Sequence, residues 1–175
     1  YHEAFHQYIF YAFDQLQPMA WFNEGYATFF GGASIGNGRL EVTEDPYRLR
    51  CFEERLSEGP LQLDQFLRLS YEQFYDKDKK VLEQNYALAW ALVYYLRKGA
   101  VLEKPAPYAR ILDRYGDSLW QTRDAEKATD DAFDGIDIAA FEKDFVKFWG
   151  SKNKRSAAER NKIFKDYHPD AVDSP

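Results

Sequence analysis

The stretch Tyr86-Ala87-Leu88-Ala89-Trp90-Ala91-Leu92-Val93-Tyr94-Tyr95-Leu96 decides the fold class. With Leu82, the positions Tyr86, Ala89, Trp90, Val93 and Leu96 recur at helical spacing, which predicts a helix over about 79–97 at the centre of the core. Downstream, Pro105 and Pro107 break the pattern before a helix predicted near 108–115. Ser118 with Gln121 reads as a capping box for the next helix, and Asp137 as the cap of one carrying Ile138, Phe141, Phe145 and Phe148. Ser156 with Glu159 predicts a last short helix to about Lys165, ahead of a polar, flexible tail from His168 to Pro175.

Upstream, Asp45-Pro46 is a cap and first-turn pair, so a helix is expected from Pro46 to about Glu58, where Gly59-Pro60 ends it. A short helix is expected from Leu63 to Leu69. Gly36-Asn37-Gly38 followed by Arg39-Leu40-Glu41-Val42 is the one stretch that reads as a turn and a short strand or extended loop. Two helices open the chain, over about 2–16 and 20–32. Gln17-Pro18-Met19 reverses the chain between them, because proline cannot continue the helical ladder. The sum is a mainly α multi-helix bundle, with one domain over 1–167 and the tail over 168–175.

The 175 residues suffice for one sizeable core. Hydrophobic residues make up 45% and charged residues 30%, as in ordinary globular chains. Fourteen Phe, thirteen Tyr and four Trp give the helices large rings to pack through. A net charge of −6, with Lys and Arg scattered among acids, argues against a nucleic-acid partner. No run of eighteen apolar residues exists to span a membrane. The single Cys51 has no internal partner for a disulfide and reads as a small buried side chain.

The opening helix pair carries the chemistry. His2-Glu3-Ala4-Phe5-His6 puts two imidazoles one turn apart on one helix face, where both reach a single ion, with Glu3 on the edge of that face. Glu24, within Trp21-Phe22-Asn23-Glu24-Gly25, stands eighteen positions after His6, where the second helix returns past the first. Two histidines and a carboxylate make three ligands and leave one coordination position open, the arrangement of catalytic zinc. Trp21, Phe22 and Tyr26 make that side of the second helix apolar, so an unpartnered Glu24 among them would be costly. Asn23, Thr28 or a backbone carbonyl is placed to accept the second ring proton of a ligating histidine.

HEAFH followed by WFNEGYATFF resembles the HExxH and NExxA pair of the gluzincin metallopeptidases, the thermolysin and aminopeptidase clan, and within it the bacterial peptidase MA-like families of unknown function. The later stretches over 86–96 and FDGIDIAAFEKDFVKFW resemble further helices of those families. The resemblance implies a Zn2+ cofactor held by His2, His6 and Glu24, with 1–33 as the metal-site helix pair. It also implies Glu3 as general base and a peptide or protein as substrate. Tyr86 is the candidate for the tyrosine that stabilises the oxyanion in such enzymes. An extracytoplasmic location is a further expectation from the likeness.

Gluzincins build a mixed β-sheet upstream of the HExxH helix, and this chain begins one residue before the first ligand. The bundle is therefore expected to be the C-terminal helical part of such a catalytic domain, cut from a longer protein, with that sheet missing. The surface so exposed is expected to favour a homodimer. The rival expectation is a non-catalytic helical interaction module with a vestigial or structural metal site. Hydrolysis of a non-peptide bond by the same ligand set is a third.

Overall fold

The computed structural model describes residues 1–36, 38–102 and 107–152. Around the central helix α6 (Lys79–Tyr94) are arranged α1 (His2–Ala12), α2 (Ala20–Gly31), α3 (Pro46–Ser57), α4 (Leu63–Leu67), α5 (Tyr71–Phe74), α7 (Ile111–Thr122), α8 (Ala125–Phe133) and α9 (Ile138–Lys152). The fold is thus mainly helical. A two-stranded hairpin, β1 (Ala33–Gly36) with β2 (Arg39–Val42), is antiparallel, with Ala33 opposite Val42 and Gly36 opposite Arg39. The helix expected after Ser156, the tail from His168 and the break at Pro105 lie outside the described residues, and with them the boundary at 167.

Every side chain from Ala87 to Leu96 is buried, so the C-terminal half of α6 is enclosed on all sides rather than along one stripe. It continues through a π-helical turn, Tyr95–Gly99. There Tyr95 packs among Phe141, Phe145 and Phe148, and a Cβ on Gly99 would lie 2.6 Å from the Phe148 ring. Helices α2 and α3 both lie along α6. The contact with α2 is made close by Gly25, whose imagined Cβ falls 2.7 Å from the Ala89 carbonyl oxygen and 2.7 Å from Val93 Cγ2. A side chain at that position would push the two helices apart.

Local signals explain most boundaries. Asp45 caps α3 by accepting from the Tyr47 and Arg48 amides at 2.8 and 3.1 Å, with Pro46 in the first turn. Asp137 caps α9 through the Ala139 and Ala140 amides. Cys51 is buried in α3 without a disulfide. Among the described residues, no helix is long and apolar enough to cross a membrane.

Four expectations need correction. Helix α1 stops at Ala12, not Leu16, because Asp14 and Gln15 take positive φ (51° and 64°) and the Gln15 amide turns back to the Phe10 carbonyl. Arg123 holds that turn through Asp14 at 2.9 Å. Ser118 caps nothing: it lies inside α7, three residues after Tyr115, and donates to Asp131 of α8 at 2.6 Å. The cap of α8 is Asp124, which accepts from the Lys127 amide at 3.0 Å. Helix α7 itself begins at Ile111 and runs past Tyr115 to Thr122. Finally, Ala33–Gly36 is a strand, too short and too poor in apolar alternation to signal itself.

Candidate metal centre

The two opening helices pack against each other, and α2 is fixed from behind. Its first turn is held by Tyr115, whose hydroxyl accepts from the Met19 amide at 2.7 Å while its ring stacks on Phe22 at 4.4 Å and meets Trp21 edge-on at 5.1 Å. Those rings occupy one side of α2 and turn Glu24 toward α1. One helical turn separates His2 from His6, and their rings stand 4.8 Å apart, nearly perpendicular at 81°.

The three predicted ligands converge. His2 Nε2 and His6 Nε2 are 3.1 Å apart, and they lie 3.6 and 3.5 Å from Glu24 Oε2. Ligands about 2.0–2.1 Å from a tetrahedral zinc ion are themselves separated by about 3.3 Å. The triangle 3.1, 3.5 and 3.6 Å therefore has the edge lengths such an ion requires. Glu24 is 2% exposed, and its Oε2 is buried without a hydrogen-bond partner. A buried carboxylate oxygen left unsatisfied costs several kcal/mol in order of magnitude unless a cation or donor meets it. Among the described residues, His2, His6 and Glu24 form a group whose ligand atoms lie within 4.8 Å of one another. The residues present fit a divalent ion of zinc's size.

Two of the three groups, His6 and Glu24, are held from outside. His6 Nδ1 is 3.0 Å from Asn23 Oδ1, so the expected partner of that ring proton is Asn23. The Asn23 amide donates to the Tyr71 hydroxyl at 3.1 Å, and Tyr71 donates to the Pro18 carbonyl at 3.0 Å. The other Glu24 oxygen, Oε1, accepts from the Tyr75 hydroxyl at 2.5 Å. Burial alone would raise the Glu24 carboxyl, but the contacts with His2 and Tyr75 and the electrostatic attraction of the two imidazoles outweigh it and hold the group below its ordinary value. Burial and the Glu24 hydrogen bond push the Tyr75 phenol far above the usual tyrosine range.

A cleft of 630 Å³ opens over these atoms. Glu3 and Tyr86 both line it, as the assignment of general base and oxyanion donor requires. Tyr86 stands 6.4 Å, ring to ring, from His2, and burial followed by the nearby Glu24 charge pushes its phenol up to about 12. It remains a neutral donor at any physiological pH. Away from the ligands the cleft turns apolar, along Ile9, Phe10, Leu16 and Pro18. Tyr71 and Tyr75 escaped the sequence reading. They stand 48 and 51 positions from the groups they hold, and a helix as short as α5 carries no periodic apolar signal. The Ser70 and Gln73 capping box in front of it was the one local sign available.

Fold and site together define a helical domain with two histidines and a carboxylate converging beside an open cleft. Residues 1–109, which contain every residue of this site, match the family described as Protein of unknown function (DUF1570), and the chain belongs to that family. No curated protein matches it, and no solved structure does.

Proposed function

We propose that this chain carries the catalytic metal site of a zinc-dependent metallopeptidase. The observation that supports this most is the buried, otherwise unsatisfied Oε2 of Glu24 at zinc-ligand spacing from two imidazole nitrogens. His2, His6 and Glu24 would hold the ion, which supplies a Lewis acid able to bring the pKa of water toward about 7 and to polarise a carbonyl. Glu3, exposed at the mouth of the same cleft, accepts the proton lost by the attacking water and returns it to the leaving amine. Tyr86, kept protonated by its surroundings, donates to the oxygen on which charge develops. A peptide enters along the cleft, its side chains meeting the apolar wall at Ile9, Phe10 and Leu16.

Glu3→Gln tests the assignment. Peptide hydrolysis should fall by about 10²–10⁴-fold, the range for loss of a general base, while one zinc per chain is retained by metal analysis. Turnover equal to the parent's would remove Glu3 from the mechanism.

A second reading, a non-catalytic interaction module, draws support from the outer face of α1, where Tyr8 and Tyr11, with Tyr1 just ahead of the helix, are exposed. Sedimentation with metal analysis separates the two readings. A metal-free dimer that hydrolyses no peptide favours the module; a monomer with stoichiometric zinc favours the enzyme.

A further inference from the structure

The segment Ser70–Tyr75 reaches the candidate metal centre twice, directly from Tyr75 to Glu24 and from Tyr71 to Asn23, the partner of His6, and nothing in the ligand pattern requires either contact. It is anchored by contacts other than those to His6, Asn23 and Glu24. The Ser70 and Gln73 capping box closes its start, the Phe74 ring is fully buried against Phe66 and Tyr86, and Asn85 of α6 donates to the Phe74 carbonyl at 2.9 Å. From this base two phenols reach into the cleft.

The direction of the first chain of hydrogen bonds is fixed by its far end. The Pro18 carbonyl can only accept, so the Tyr71 O–H donates to it and the Tyr71 oxygen accepts from the Asn23 amide NH2. The Asn23 carbonyl oxygen is thereby turned toward His6, and the ring proton of His6 must sit on Nδ1. Nε2 is left as a lone pair facing His2 and Glu24. At the second contact, the Tyr75 hydroxyl occupies Glu24 Oε1 and leaves Oε2 alone to face the histidines.

We infer that Ser70–Tyr75 is a positioning element for the metal centre, in which Tyr71 sets the tautomer of His6 through Asn23 and Tyr75 restricts Glu24 to ligation through one oxygen. The inference rests on the metal-site reading above. His6 and Glu24 thereby present their binding atoms before any ion arrives, while His2, whose Nε2 lies 3.1 Å from His6 Nε2, is left to give up its proton there.

Three measurements on the full chain test it, the first with the metal-free protein. In long-range proton–nitrogen spectra the parent should show His6 as the Nδ1–H tautomer, and Tyr71→Phe should add the Nε2–H form, because the Asn23 amide is then free to turn over. A merely structural tyrosine would leave that ratio unmoved. Next, Tyr75→Phe should weaken zinc binding by about 10–100-fold, as loss of a group supporting a ligand commonly does. With cobalt in place of zinc, its visible absorption should weaken as Glu24 gains two-oxygen ligation and coordination rises from four to five. Unchanged zinc affinity and an unchanged cobalt spectrum would overturn the role of Tyr75. For the event that a variant does not fold, hydrogen exchange on the parent supplies the third test: the Phe74 and Tyr75 amides, bonded to Ser70 and Tyr71 carbonyls, should gain protection when zinc is added. No gain would overturn the coupling. A parent that binds neither zinc nor cobalt defeats the metal-site reading itself, whereas a parent that binds both with indifferent variants defeats this inference alone.

Discussion

Helices α1 and α6 are nearly the same kind of sequence, apolar and rich in rings, yet they live in opposite surroundings. In α6 every side chain from Ala87 to Leu96 is buried, while in α1 Ile9 is the one buried residue and Tyr8 and Tyr11 are 64% and 76% exposed. The candidate ligands are divided between these worlds. Glu24 sits on α2, clamped against α6 at Gly25 and tied by Tyr75, whereas His2 and His6 sit on α1, which packs on α2 alone among its larger contacts. The difference teaches that the carboxylate is the fixed point of the site and the histidines are the adjustable part. An ion bridging the two would join a thinly held helix to a rigid core.

That contrast can be broken or sharpened by experiment. The largest effect belongs to the core. Trp90→Ala leaves a cavity beside Tyr94 and Trp149 and should cost about 3–5 kcal/mol, read from urea unfolding. Adding zinc at about 100 times its dissociation constant should raise stability by about 2.7 kcal/mol. In hydrogen exchange the added protection should fall on α1 far more than on α6; an even distribution would contradict the division drawn here. Gly25→Ala comes next. The Cβ meets backbone at Ala89, and an overpacking cost of about 1–3 kcal/mol opposes a helix-propensity gain of about 1 kcal/mol. The sensitive readout is therefore zinc affinity by competition titration, which should drop as Glu24 is carried away from the histidines. Smallest of all, Tyr11→Ala on the open face of α1 should change stability by less than about 0.5 kcal/mol. A loss as large as that at Trp90 would mean that the ring is covered in solution.

Much of the site was legible because its ligands obey local geometry. Four positions along a helix put His2 and His6 on one face whatever surrounds them, and an acid among Trp21, Phe22 and Tyr26 has few inexpensive fates. Asn23 was legible for a similar reason, being next to a ligand and able to accept a ring proton. Ser118 misled because a serine three residues before a glutamine looks the same at a helix start and inside a helix; burial against Asp131 decided between them.

The amino-acid order alone determined the helical class, the caps at Asp45 and Asp137, and the residue types offered to a metal, since each depends on neighbours within one or two turns. Only the tertiary structure decided that Tyr71 and Tyr75 hold Asn23 and Glu24 from outside, that α1 ends at Ala12 and that the C-terminal half of α6 is enclosed on every side. Those outcomes depend on contacts between segments tens of residues apart, whose partners are chosen by packing and by the need to satisfy buried polar atoms.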